Sequence, residues 1–309
     1  MCVDLLSKFS GCILGCATGD AIGELAFRYP SKEDLCSRIK NIPLLQYTDD
    51  TAMMIGLAQS MIKDQDIDQL NLGDMFKRNF NEEPWRGYAS GPPTIFSMVQ
   101  NLGITYVDAA HRLFGGDGSL GNGAAMRIAP VGLFFHQSIS LYEKAAASAE
   151  ITHAHPVGID GAAVQARAVG MSVGLNPETR FSKEAFIQEL IQFARTDEIR
   201  EKMKLVEKMI EDDAPPDIAA DRIGRTVAVQ ESMPFALYSF LRHPESMEDC
   251  LYCAVLNGGD RDTLGAMACS ISGAYLGVDT IPLLWLKKLE NRVLLEKLAY
   301  GLAEGIAVS

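Results

Sequence analysis

The chain has no apolar run of the roughly 20 residues that a bilayer-spanning helix needs, so no membrane segment is expected. Residues Met1 to Ser10 lack the basic start and unbroken apolar stretch of a secretory leader. Basic residues are in short supply: 28 Lys and Arg stand against 40 Asp and Glu, a formal net charge of −12. That balance excludes an extended nucleic-acid or anionic-membrane surface. An anionic ligand then needs local help from backbone amides or helix N-termini. Cysteine is scarce too. The seven present (Cys2, Cys12, Cys16, Cys36, Cys250, Cys253, Cys269) are too scattered for a disulfide scaffold. Cys12, Cys16 and Cys269 read as small core residues, and Cys250-x-x-Cys253 has no second pair or neighbouring histidine to complete a zinc site. A reduced, intracellular protein is expected, cytoplasmic or, in a eukaryote, also nuclear.

Period-two strands are missing as well, and so are linkers and low-complexity tracts. The Pro- and Gly-rich breaks at 82–84, 91–93, 115–118 and 214–217 are all short. What is present is helical periodicity, over 51–63, 93–102, 105–114, 140–150, 160–174, 183–195 and 199–212, with a further helical run over 124–135. The expected architecture is one all-α domain over residues 1–309. Its centre is predicted by spacing: Gly11, Gly15, Gly19 and Gly23 recur every four residues in a helix over 7–20 and beyond. Gly265, Cys269, Gly273 and Gly277 repeat the device in a helix over 264–277. Glycine costs up to about 1 kcal/mol per helical position. Two such bare faces are expected to pack on each other.

Acidic residues crowd the entrances of two apolar helices. Thr48-Asp49-Asp50-Thr51 precedes one, with Thr48 or Asp49 expected as its N-cap. Asp260-Arg261-Asp262-Thr263 precedes the other. If the two entrances meet, four carboxylates share a pocket and require a counter-charge. Oxygen-only donors select a hard cation, Mg²⁺ before zinc, and four carboxylates suffice for two ions. In an extended Asp260-Arg261-Asp262 segment the aspartates face one way and Arg261 the other, so Arg261 is expected to point outward. A third stretch, Phe114 to Gly123, holds five glycines in its last nine residues and suits a phosphate or diphosphate, although it lacks the Gly-Lys-Ser/Thr of a Walker loop. In Thr152-His153-Ala154-His155-Pro156 the His-x-His spacing of a metal pair lacks the surrounding strand–helix alternation, and a histidine here is expected either as a satisfied core residue or facing a ligand.

Taken together these motifs resemble the ADP-ribosylglycohydrolase family: GCATGDAIG at 15–23, YTDDTAM at 47–53, RGYASG at 86–91, GSLGNGAAMR at 118–127, and the stretches 152–161 and 258–277. Arg86-Gly87-Tyr88, Phe114 with Gly118-Ser119, and 231–242 are most similar to the ADP-ribosylhydrolase 3 branch, which acts on serine-linked ADP-ribose and poly(ADP-ribose). The resemblance implies a compact orthogonal helical bundle around a binuclear Mg²⁺ site, Mn²⁺ being the alternative. It implies Thr48, Asp49, Asp50, Asp260, Asp262 and Thr263 as metal ligands, and Glu24, Asp49, Asp260 and Asp262 as candidate catalytic carboxylates. Arg86, Gly87, Phe114, Gly118, Ser119, Leu120, Gly121, Asn122, His153 and Val227 are the implied substrate contacts. The implied activity is hydrolysis at C1″ of ADP-ribose on proteins or in poly(ADP-ribose), by a monomer. Arginine-linked substrates and a non-catalytic, crystallin-like binding protein are the alternatives. Three positions depart from the family pattern: Leu120 replaces a tyrosine of the serine-specific branch, Arg261 a small threonine, and Phe27 a glutamate, with Glu24 placed earlier.

Overall fold

In the computed structural model, which describes residues 4–308, the chain folds as helices joined by short turns, and no strand longer than an isolated bridge forms among the described residues. In chain order the first are α1 Leu5–Ala26, α2 Lys32–Asn41, α3 Asp49–Asp64, α4 Gln69–Glu82, α5 Gly91–Leu102 and α6 Tyr106–His111. A 3-10 turn at Leu113–Gly116 leads to α7 Gly123–Met126, α8 Ala129–Phe134, α9 Leu141–Glu150, α10 Pro156–Gly174, α11 Lys183–Phe193 and α12 Asp197–Glu211. Then come α13 Pro216–Ile223, α14 Val229–Arg242, α15 Met247–Val255 and α16 Arg261–Leu276. After a second 3-10 turn, Val278–Thr280, α17 Leu283–Lys288 and α18 Arg292–Val308 complete the order. The all-α expectation holds.

Several boundaries differ from the periodicity, for local reasons. The helix expected over 105–114 stops at His111 because Phe114 and Gly115 adopt left-handed backbone. The run over 124–135 is two short helices, the second opening with Pro130 in its first turn. Helix α10 begins earlier than expected, with Pro156 as its first residue and His155 as its cap.

Helices α1 and α16 cross antiparallel at the centre, with their glycine faces in contact. A Cβ built on Gly11 would lie 2.4 Å from Gly273 O, one on Gly15 2.5 Å from Cys269 O, one on Gly19 2.1 Å from Gly265 O, and one on Gly23 2.3 Å from Arg261 O. The backbones therefore touch along four turns. In exchange, α1 is apolar all round and fully buries Phe9, Ile13, Leu14 and Ile22. Burying each contributes about 1.5–3 kcal/mol, which outweighs the helix-propensity penalty of roughly 1 kcal/mol per glycine. Cys12, Cys16 and Cys269 lie buried in this seam as free thiols, while Cys2 lies outside the described residues.

The contact makes a sharp prediction. Gly19→Ala places a methyl group against Gly265 O and is expected to destabilise the fold by about 3 kcal/mol or more. Gly174→Ala, whose new Cβ has nothing within 4 Å, should be neutral or stabilising by up to about 1 kcal/mol. Urea unfolding of both variants checks this, and equal midpoints would show that the seam can relax.

Candidate active site

Asp20, in the middle of α1, organises one half of the site. It is wholly buried, and Thr48 N and Thr51 N each donate to it at 3.0 Å, Thr48 Oγ1 at 2.9 Å and Thr51 Oγ1 at 2.6 Å. Thr51 N is the N3 amide that an N-cap side chain normally satisfies, and Thr48 N the N-cap amide that the N3 side chain meets in a capping box. Thr48 occupies the N-cap position but makes no capping bond of its own. The expected cap, Thr48 or Asp49, is thus corrected: a carboxylate from α1 caps α3. Asp49 and Asp50 are left to face a cavity of about 680 Å³, which Asp260, Asp262 and Thr263 also line.

Asp260 reaches that cavity through Gly258 and Gly259, both left-handed. A Cβ on Gly259 would lie 2.0 Å from Arg225 O, which also accepts from Asp260 N at 2.9 Å. Asn122 Nδ2 donates to Asp260 Oδ2 at 2.6 Å and to Ser232 Oγ at 3.2 Å, and Asp262 Oδ1 accepts from Thr263 N at 3.0 Å. Asp260 is the N-cap of α16, and Arg261 and Asp262 lie in its first turn, so the segment is not extended as expected. Arg261 nevertheless turns away from the cavity and donates to Val255 O at the end of α15.

Crowding of negative charge governs this side. Burial, then the Asp20 charge, pushes Asp49 up to about 7. Burial, then Asp260 and Asp20, pushes Asp262 up to about 8. Asp50 is driven well above the usual carboxylate range by burial and by all four neighbouring aspartates. Asp20 rises to about 6 through burial, held back by the Thr51 and Thr48 hydrogen bonds. Asp50 Oδ1 is buried without a hydrogen-bond partner, which is costly unless a cation meets it. Among the described residues no three His, Cys, Asp or Glu side chains close around one point. It is the unpaired Asp50 Oδ1, crowded by further carboxylates, that suits a cation such as Mg²⁺, which takes one or two carboxylates and completes its shell with water and ligand oxygens. The oxygen donors here fit such a group.

The opposite wall is the glycine-rich loop. Gly118 has a positive φ and packs against the 154–155 backbone, where a Cβ would lie 2.7 Å from His155 N. Fewer amides are free than the glycine content suggests. Gly118 N is taken by Leu113 O, Gly121 N by Ser119 Oγ and Asn122 N by Val227 O. Behind the loop lies Arg127, fully buried, donating to Gly123 O at 2.9 Å and stacked 4.8 Å over Phe76. It forms no salt bridge among the described residues, so it lends this wall a positive field that the acidic chain otherwise lacks. At the mouth, Phe114, Leu120 and Val227 are exposed apolar side chains lining the same cavity. Phe114 is held at φ 52, ψ 43, rare for a bulky residue and typical of ligand sites.

Of the residues singled out from sequence, Asp49, Asp50, Gly87, Phe114, Gly118, Ser119, Leu120, Gly121, Asn122, His153, Val227, Asp260, Asp262 and Thr263 meet at this cavity. Three do not line it. Thr48 stands behind, bonded to Asp20 and Asp50. Arg86, expected as a substrate contact, is buried behind the lining, bidentate to Glu83 and to Glu290, donates to Tyr47 O and stacks on the Tyr47 ring. Glu24 is half-buried, one helical turn beyond Asp20, and does not reach the cavity. Both histidines line the cavity: His155 also caps α10, accepting from Val157 N at 3.2 Å, and His153 is buried. Sequence reasoning assigned no role to Asp20, Arg127 or Ser232, although a lone aspartate inside a glycine-faced apolar helix was a visible signal.

The model of the ADP-ribosylglycohydrolase family matches residues 1–308 of this chain. ADP-ribosylhydrolase ARH3 of Homo sapiens is 30% identical over 331 aligned positions, covering 93% of this chain and 90% of the human protein. ADP-ribosylhydrolase ARH3 of Xenopus tropicalis is 32% identical, covering 91% and 90%. A solved structure described as an ADP-ribosylglycohydrolase-related protein complex superposes with a TM-score of 0.75 at 23% identity, covering 98% of this chain and 99% of that one, which establishes the shared fold.

Two outcomes follow from the acidic side. An unfolded aspartate titrates near 3.9, whereas Asp49 and Asp262 titrate near 7 and 8 in the metal-free fold. Between those values the folded state holds more protons than the unfolded one, so stability falls as pH rises from about 4 to 8. The EDTA-treated protein should melt lower at about pH 8 than at about pH 5.5, and added Mg²⁺ should raise the melting temperature more at the higher pH. Asp50→Asn should raise the melting temperature of the EDTA form at the higher pH and blunt the Mg²⁺ response. A melting temperature indifferent to pH and chelator would contradict the charge crowding. Separately, Arg261→Thr is expected to change any activity less than tenfold, or under about 1.4 kcal/mol in barrier, because its guanidinium lies outside the cavity.

Proposed function

Because the chain belongs to the ADP-ribosylglycohydrolase family, a family of glycosidic hydrolases, we propose that it releases ADP-ribose from modified proteins by cleaving the C1″ bond, with O-linked serine and poly(ADP-ribose) the preferred substrates. The observation that carries this reading is the pairing of two unlike walls in one cavity. Four aspartates and Thr263 form one wall, and a glycine-rich loop backed by a buried arginine forms the other. ADP-ribose has matching halves: ribose hydroxyls for an acidic, cation-holding wall, and a diphosphate for an amide- and arginine-backed one. Phe114, Leu120 and Val227 offer apolar surface to adenine at the mouth.

Asp49, Asp50, Asp260, Asp262 and Thr263 would hold two divalent cations, Mg²⁺ by preference. When bound, these ions supply positive charge that fixes hydroxyl groups and lowers the pKa of water. The chain's own residues do the rest. Asn122 fixes Asp260, Asp20 fixes the entrance of α3 that carries Asp49 and Asp50, and Arg86 fixes the 87–91 wall through Glu83, Glu290 and Tyr47. As the C1″–oxygen bond breaks through an oxocarbenium-like state, Asp49, Asp260 or Asp262 accepts the proton of the attacking water, whose oxygen bonds to C1″, and the same carboxyl group returns that proton to the leaving oxygen. A second reading, a binding protein without turnover, is favoured by the place of Glu24 outside the cavity.

Release of free ADP-ribose from serine- and arginine-modified peptides, with and without Mg²⁺, tests both readings. Mg²⁺-dependent release from serine peptides is expected. Asp49→Ala and Asp262→Ala should each lower it more than about 100-fold, beyond the 10–100-fold typical of outer-shell changes at metal sites. Cleavage confined to arginine peptides would overturn the linkage assignment. Tight ADP-ribose binding with no release from any peptide would establish the second reading.

A further inference from the structure

Arg127, Thr152 and His153 form a buried chain of hydrogen bonds that the hydrolytic step does not by itself require. Arg127 Nη2 donates to Thr152 Oγ1 at 2.7 Å and to Ser148 O at 3.2 Å. Thr152 Oγ1 lies 2.8 Å from His153 Nδ1, a bond that can run either way. Its surroundings fix the direction. A guanidinium only donates, so Thr152 Oγ1 accepts from Arg127 and has a single proton to give. The other acceptor in reach, Ala149 O, is 3.4 Å away, long for a hydroxyl bond. That carbonyl already accepts from Thr152 N at 3.0 Å and His153 N at 2.8 Å. The hydroxyl proton therefore goes to Nδ1, which leaves the ring's own proton on Nε2. Nε2 lies beside the loop: a Cβ on Gly123 would come within 3.0 Å of it and one on Gly121 within 3.6 Å. The two glycines keep that edge of the ring open to the cavity that His153 lines.

We infer that Arg127 and Thr152 are positioning residues that lock His153 as a neutral Nε2–H donor, aimed at an acceptor-only oxygen of the ligand beside the Gly118–Gly123 loop. A phosphoryl oxygen has that character, and a ligand presenting a donor at the same point is rejected, because a fixed N–H facing another donor leaves both unpaired. Burial, then the nearby Arg127 charge, holds the imidazole in its neutral form, so the contact keeps its polarity across the range where histidines usually switch. That the oxygen belongs to ADP-ribose rests on the function proposed above; the relay itself does not.

Nitrogen-15 NMR of the histidine side chains in the full chain, with His153 assigned by its loss in His153→Asn, reads the relay directly. The expected pattern is a pyrrole-type Nε2 and a pyridine-type Nδ1, unchanged from about pH 5.5 to about pH 8. Thr152→Val should mix the two tautomers and weaken ADP-ribose binding about tenfold by calorimetry, the size of one lost hydrogen bond. Thr152→Ser, which restores the hydroxyl, should recover both readouts. A pyrrole-type Nδ1 in the unsubstituted protein overturns the inference, and so does a Thr152→Val spectrum identical to it. Failure of the unsubstituted protein to bind ADP-ribose would sink the proposed function, while the ligand-free spectrum still decides the relay.

Discussion

The rest of the structure depends on the contact between α1 and α16, where two backbones lie too close for a side chain at any of the four α1 glycines. Neither Gly19 nor Gly265 tolerates a Cβ, since each would press on the other's carbonyl. The register of this seam is fixed rung by rung, because a slip of one residue along either helix replaces glycine by a bulkier side chain. The last rung sets Gly23 against Arg261 and Asp262. The seam thus carries Asp20, one turn before Gly23, to the entrance of α16. Position of charge at the site is a consequence of close packing elsewhere.

From there the construction passes through a displaced cap. Helix α3 begins with two aspartates and a threonine, any of which can cap it. Had Asp49 done so, one cavity-facing carboxylate would have been tied to its own backbone. Asp20 instead accepts from the amides and hydroxyls of Thr48 and Thr51. Its buried charge is well hydrogen-bonded, yet it still raises the proton affinity of Asp49, Asp50 and Asp262. Arg86 follows a similar logic further out, its guanidinium held by Glu83 and Glu290 so that the adjoining Gly87 to Gly91 wall is fixed without facing the ligand.

Much of this was legible before any coordinates. The glycine spacing identified the central pair of helices, and acidic residues at two helix entrances identified the pocket, because both signals are local patterns with one physical cause. What was hidden depended on long-range partners. Asp20 sits 28 residues from Thr48, and nothing in a helical aspartate says which distant amides it will meet. Arg86 was expected as a substrate contact from the resemblance alone, and its two carboxylate partners, one of them 204 residues away, were not visible as such. The Asp260-Arg261-Asp262 reading shows the reverse case: Arg261 does point away, but because it enters a helix, not because the segment is extended. Glycine content overstated the free amides of the loop, since the chain folds three of them onto its own acceptors.

The separation of Arg127 from the aspartates is the last piece of the design. In an acidic chain a buried arginine beside buried carboxylates would ordinarily pair with one, and a pair in contact would cancel most of the field on both sides. Here Arg127 influences Asp49 only through space, and its donors go to Gly123 O, Ser148 O and Thr152 Oγ1. Each wall therefore keeps an unbalanced charge, negative at α3 and α16 and positive behind the loop. A ligand satisfies both only if it brings an anion to one end and tolerates cations at the other, with the distance between the walls fixed by the fold. On the function proposed above, selectivity for a long, two-ended ligand would follow from where the protein forms no salt bridge, and a neutral His153 beside the loop would add a directional contact without disturbing that balance.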